Sequence, residues 1–124
     1  MNKVLAAAAA AEAATGAIVL AFPSEAVRLL FGAEIAGAGI DVTRMAGIAL
    51  IGLGVACWPA APPRQPHLGM LTYGVLVTLY FVYAGTWGDA TGFLLWPAVV
   101  VHIVIAVLLA VTLPRKPQIR AGRT

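Results

Sequence analysis

Four apolar stretches, at about 4–22, 42–58, 68–87 and 93–113, take up most of this 124-residue chain. Each has roughly 17–21 residues, enough at ~1.5 Å per residue to carry a helix across most of a ~30 Å hydrocarbon layer. In lipid the backbone must satisfy its own polar groups, which leaves helices or closed barrels. Runs this long, without the period-two alternation of strands, read as helices. Composition agrees: 61% of residues are hydrophobic and 10% charged, against roughly 45–50% and ~25% in a soluble domain. A soluble fold of this size could not hide so much apolar surface. We therefore expect an all-α, polytopic membrane protein. It is one domain over 1–124, a four-transmembrane-helix bundle with a short interfacial helix between spans one and two, and a basic tail at 114–124.

The first span is unusual. Ala6 through Ala11 run unbroken and Glu12 follows. On an insertion scale the large apolar residues Val4, Leu5, Ile18, Val19, Leu20 and Phe22 contribute roughly −0.3 to −0.6 kcal/mol each, and one central charge costs about +2.5 to +3.5 kcal/mol. The two sides nearly cancel, so this helix is expected to depend on protein neighbours. Met1-Asn2-Lys3 before an apolar run also fits a signal peptide; a membrane helix is the reading taken. Pro23-Ser24-Glu25 opens a short amphipathic helix, with Ser24 as the expected N-cap and Gly32 as its stop. Val27, Leu30 and Phe31 fall on one side and Glu25 and Arg28 on the other, as in a helix lying on a membrane surface.

Asp41 is the expected cap of span two, which carries Gly47, Gly52 and Gly54, small residues that let helices approach closely. Pro59 to Pro66, with four prolines, reads as a stiff turn that no helix crosses. Pro97 is expected to open span four or to kink it. Cys57 is the single cysteine; no internal disulfide is possible, and a buried packing thiol is expected.

The formal charge is +3 and the pI about 9.5. Arg115, Lys116, Arg120 and Arg123 crowd the last ten positions with no interleaved aromatics, so the partner expected for them is anionic lipid, and no nucleic acid. With both termini cytoplasmic the inside holds six basic residues (Lys3, Arg64 and those four) and the outside two, Arg28 and Arg44, which is the direction of the positive-inside rule. Trp58 on one side, and Trp87 and Trp96 on the other, sit where aromatic belts form.

Two ionisable residues fall near mid-bilayer: Glu12 in span one and His102 in span four. Tyr80 lies at a similar depth. Ala8, Glu12 and Gly16 form one row of small neighbours, and Ala98, His102, Ala106 and Ala110 another. The expectation is that spans one and four pack along these rows and bring Glu12 and His102 within hydrogen-bonding reach. Such a pair either exchanges protons or, with Glu12 protonated and His102 neutral, shares one interhelical bond worth about 1 kcal/mol. Tyr73, Tyr80 and Trp87 recur every seven residues, and this stripe is expected in the bundle core, with a ligand-stacking wall as the alternative. Arg44 is expected in a local ion pair with Asp41 or Glu34, with an anionic headgroup as the alternative partner. One Glu and one His fall short of a zinc site, so no metal and no cofactor are expected. No serine-histidine-acid set, phosphate loop or Cys-x-x-Cys occurs, and no enzyme is expected.

A proline after span one, then Leu29-Leu30-Phe31-Gly32, then Arg44-x-x-Gly47 leading to Leu53-Gly54, resembles the small four-helix bacterial membrane proteins of the DoxX-like type. That resemblance implies the four-helix fold and a bacterial inner membrane, and little about activity. In length, span count and a lone carboxylate in span one the chain is also similar to the small multidrug transporters. There that carboxylate exchanges protons for cationic drugs, a role that would fall to Glu12; the six-to-two charge bias departs from that family's weak one. Three functions follow as expectations. The first is an accessory or scaffold subunit of a larger membrane complex or homo-oligomer. The second is a proton-coupled small-molecule transporter using Glu12 and His102, and the third a module binding lipid, quinone or pigment at the tyrosine stripe.

Overall fold

A computed structural model describes residues 2–59 and 64–116. The described chain is all-helical: α1 Lys3–Ala21, α2 Pro23–Phe31, α3 Ala38–Ala56, α4 Arg64–Thr86 and α5 Leu95–Val111. α1, α3 and α4 are long and apolar enough to cross a membrane; α5, at 17 residues, is shorter and equally apolar in character. The outer part of the basic tail, 117–124, and the middle of the proline-rich turn, 60–63, lie outside the described residues.

Several helix ends differ from expectation, each for a local reason. α2 starts at Pro23, not after a Ser24 cap, because a proline at the first helical position has no N–H to satisfy. Gly32 does end it in the left-handed conformation, φ 70°. α3 starts at Ala38, ahead of Asp41, because Gly37 turns the chain at φ 53°, a backbone shape that other residues resist. Asp41 then sits in the first turn. α4 starts at Arg64, so Pro66 lies inside the helix, within the first turn where backbone N–H groups lack intrahelical partners anyway. Pro97 lies in the first turn of α5 for the same reason, and opens that helix.

Helix partners differ as well. The Gly16 row of α1 packs on α3, not on α5. A Cβ on Gly16 would stand 2.5 Å from the Gly47 carbonyl oxygen, and one on Gly54 2.5 Å from that of Ala9. Gly47, Leu50, Ile51 and Gly54 thus form one face of α3, antiparallel to Ala9, Ala13, Gly16 and Leu20, with backbone nearly on backbone. α5 packs instead on α4, where Gly74 faces Ala106. Two helix pairs result, and α1 meets α5 only sparsely.

Two clamps join the pairs. At one end Leu5, Ala8, Ala9, Cys57, Met70 and Leu109 make a dry core, with Cys57 buried as expected. There Asn2 caps α1, its Oδ1 accepting from the Val4 and Leu5 amides. Its Nδ2 donates to Nδ1 of His67 at 3.1 Å and to the Thr112 carbonyl at 3.4 Å. His67 is fully buried, and its Nε2 lies 2.6 Å from the Leu109 carbonyl oxygen. The last carbonyls of a helix have no intrahelical donors; here side chains of α1 and α4 supply them to the end of α5, and Arg64 donates to the Pro114 carbonyl. At the other end the Thr91 and Leu94 amides donate to the carbonyls of Phe31 and Leu29. α2 is thereby tied to the α4–α5 loop, so closely that a Cβ on Gly92 would overlap the Leu30 backbone.

Candidate functional site

Glu12 and His102 do meet, although their helices hardly pack. Glu12 is 7% exposed on the inner face of α1, and its Oε1 lies 3.6 Å from His102 Nε2. That is ion-pair distance, and longer than the ~2.7–3.2 Å of a hydrogen bond. His102 Nδ1 is 2.7 Å from the carbonyl oxygen of Ala98, one turn earlier. A carbonyl can only accept, so Nδ1 carries a hydrogen, and in the neutral ring the lone pair is on Nε2, facing Glu12. The position of one proton, on Oε1 or on Nε2, is therefore the variable of this pair.

α4 supplies the surroundings. Tyr73 lines the same cleft as Glu12 and His102. The His102 ring is flanked by Tyr73, centroids 6.4 Å apart, and by Phe81 at 5.7 Å edge to face. Phe81 in turn meets Phe31 of α2 at 5.9 Å. The cleft lies beside this cluster and has a volume of about 340 Å³, within the range of small-molecule pockets. Glu12, Tyr73 and His102 are on its wall, and the remainder is mostly apolar, including Val19, Leu30, Leu50 and Phe81. Val101, also in the wall, is 53% exposed, so the cleft opens sideways where α1 and α5 leave a gap.

The other expected site residues lie elsewhere. Tyr80 is 60% and Trp87 80% exposed, so the tyrosine stripe is not bundle core. A seven-residue step falls about 20° short of two full turns. Tyr73 stands at the edge of the inward face of α4, and each heptad carries its successor further outside. Arg44 is exposed, and forms no ion pair with Asp41 or Glu34; it stands near the start of α3, away from the cleft. Among the described residues no three of His, Cys, Asp and Glu gather as metal ligands.

Phe81, Asn2 and His67 are structural participants that the sequence pattern did not single out. An asparagine before an apolar run is an N-cap signal; nothing local marks His67, whose partners are 65 and 42 residues away. Compared with known proteins, the chain matches no family model, no curated protein and no solved structure.

Proposed function

We propose that this is a four-span membrane protein, with α2 at the membrane surface and both termini cytoplasmic, that binds a small and mostly apolar molecule in the cleft at Glu12 and His102. The pair exchanges a proton as the molecule binds and leaves, which is the arrangement a proton-coupled transporter needs. One observation carries this reading. The ionisable pair is not sealed between helices, as a purely structural pair would be, but stands on the wall of a cleft large enough for a ligand. The DoxX-like resemblance of the sequence motifs belongs to the same proposal and supplies no substrate.

The experiment is native mass spectrometry of protein purified in mild detergent. A small molecule should travel with the wild type and be lost from Val101→Trp, whose ring fills the mouth of the cleft. In weakly buffered solution its displacement should change the pH for wild type and not for Glu12→Gln. Equal retention by Val101→Trp would place the ligand elsewhere.

A second reading, an accessory subunit or homo-oligomer, has its own support. Five exposed positions of α1, Ala7, Ala10, Ala11, Ala14 and Ala17, are alanine, with Thr15 and Ile18 also exposed toward its other end. The other long helices expose large side chains such as Ile48, Leu76, Leu79 and Val104. A groove of about 420 Å³ bounded by Ala10, Ala13, Gly54 and Trp58 runs beside that face. Small-residue faces suit close helix contact. A native mass equal to one chain plus detergent would remove this reading.

A further inference from the structure

The charges outside the hydrocarbon layer are sorted between the two ends of the bundle, and one end is left with cations alone. We infer that this end, where Lys3, Arg64, Arg115 and Lys116 gather, holds an anionic phospholipid of the adjoining leaflet, with its phosphate among these cations and its acyl chains along the exposed face of α5. The inference rests on the four-span reading above and needs no ligand in the cleft.

The chain has five acidic residues. Glu12 is buried within the bundle. Glu25, Glu34, Asp41 and Asp89 all belong to the end made by α2, the start of α3 and the α4–α5 loop, where Arg28 and Arg44 accompany them. Among the described residues the opposite end has no aspartate or glutamate to meet Lys3, Arg64, Arg115 and Lys116. The negative countercharge has to come from outside the chain, and a leaflet containing anionic lipid supplies it.

Three separate pieces of chain bring these cations together. Arg64, at the start of α4, donates to the carbonyl of Pro114, the residue before Arg115. Asn2, the residue before Lys3, donates to the Thr112 carbonyl at 3.4 Å and to His67, one turn along α4 from Arg64. The carbonyls at a helix C-terminus ordinarily attract cations, but those of Leu109, Thr112 and Pro114 are already met by His67, Asn2 and Arg64. Lys3, Arg115 and Lys116 are exposed. A guanidinium has five N–H donors, so Arg64 keeps most of its fork after one bond to Pro114, and that fork matches a phosphate.

An apolar stripe continues from this end. Val104, Leu108 and Val111 follow one another at helical spacing on α5 and are exposed. Val111 closes that helix just ahead of Thr112–Pro114 and the two cations after it. A partner that pairs with the cations and also covers the stripe has an anionic head on a long apolar body. A phospholipid has both, and a free phosphate only the first.

Native mass spectrometry of the full chain in mild detergent counts the bound lipid. Phosphatidylglycerol is titrated against phosphatidylcholine with the same acyl chains. The first phosphatidylglycerol should bind tenfold or more tightly than phosphatidylcholine, and less so as salt rises. The preference should vanish in Arg115→Gln/Lys116→Gln, a pair of exposed side chains, and persist in Arg28→Gln/Arg44→Gln at the other end. Soluble glycerol phosphate at equal concentration should leave the lipid in place. Equal binding of the two lipids, or a preference that survives Arg115→Gln/Lys116→Gln, would overturn the proposal. Loss of the preference in Arg28→Gln/Arg44→Gln as well would reveal a diffuse effect of net charge and overturn the assignment to this end. Full displacement by glycerol phosphate would overturn the role of the stripe. Alkaline carbonate extraction of membranes tests the reading beneath: release of the chain would remove the four-span reading and the lipid site with it, whereas retention together with equal lipid binding would overturn the site alone.

Discussion

His67 is held in one tautomer by its neighbours. Asn2 has its oxygen committed to the α1 amides, so its nitrogen faces Nδ1, which must accept; the Leu109 carbonyl then takes the hydrogen on Nε2. Asn2→Ala removes an N-cap worth about 1 kcal/mol and leaves a buried ring nitrogen without a donor at about 1–3 kcal/mol. A stability loss of about 2–4 kcal/mol is expected in detergent unfolding, and a loss below about 1 kcal/mol would mean that water replaces the amide. At the cleft, Glu12→Gln should fold normally. A double-mutant cycle of Glu12→Leu and His102→Leu should give a coupling of about 0.5–2 kcal/mol; zero coupling would show that the 3.6 Å approach carries no energy. Glu12 and His102 were readable in the sequence because a carboxyl and an imidazole stand out inside apolar runs. Asn2 and His67 were not, because only the folded chain brings residues 65 apart to one point. Tyr73 was readable for the wrong reason: its heptad stripe leaves the core, and Phe81 is the aromatic that stays.

Among the helices the small-residue rows were legible, and their partners were not. Rows of this kind occur on α1, α3 and α5 alike, so residue type alone cannot say which two will pair. What decides is register: Gly47 and Gly54, seven apart, sit opposite Gly16 and Ala9, so both pairs of backbones close together. This makes the glycines of α1 and α3 unequal. Gly16→Ala places a methyl against the Gly47 carbonyl and the Ile51 amide, backbone atoms with little room to yield, and should cost about 1–3 kcal/mol. Gly52→Ala meets nothing within 4 Å and should change stability by less than about 0.5 kcal/mol. Thermal unfolding of the two variants in one detergent compares them directly, and equal midpoints would place Gly16 outside the α1–α3 contact. Helix starts differed from the apolar runs where a glycine with positive φ turned the chain early, as Gly37 does ahead of Ala38.

Over the whole molecule the charges sort by end. Lys3, Arg64, Arg115 and Lys116 gather where Asn2, His67 and Thr112 meet, while Arg28 and Arg44 belong to the α2 end. For a chain that spans as proposed, this distribution sets both termini in the cytoplasm. With Cys57 replaced by alanine, cysteines at Ser24 and Lys116 should react oppositely with a membrane-impermeant thiol reagent on intact cells. Labelling of Lys116→Cys alone would invert the topology.

The pairing of a 23-residue α4 with a 17-residue α5 gives the protein two thicknesses. At ~1.5 Å per residue α5 is about 25 Å, shorter than a ~30 Å hydrocarbon core, while α4, about 34 Å with its polar first turn, comes close to that core with its apolar part. A bilayer accommodates a short span by thinning beside it. For a chain that spans as proposed, the thin side is the α5 side, where Val101 lines the cleft, and headgroups with their water are expected to dip toward Glu12 there. Ligand exchange should accordingly slow as the acyl chains of a reconstituted bilayer lengthen, since thicker lipid buries that one doorway more deeply; a rate indifferent to chain length would mean that the short helix does not shape the lipid beside it.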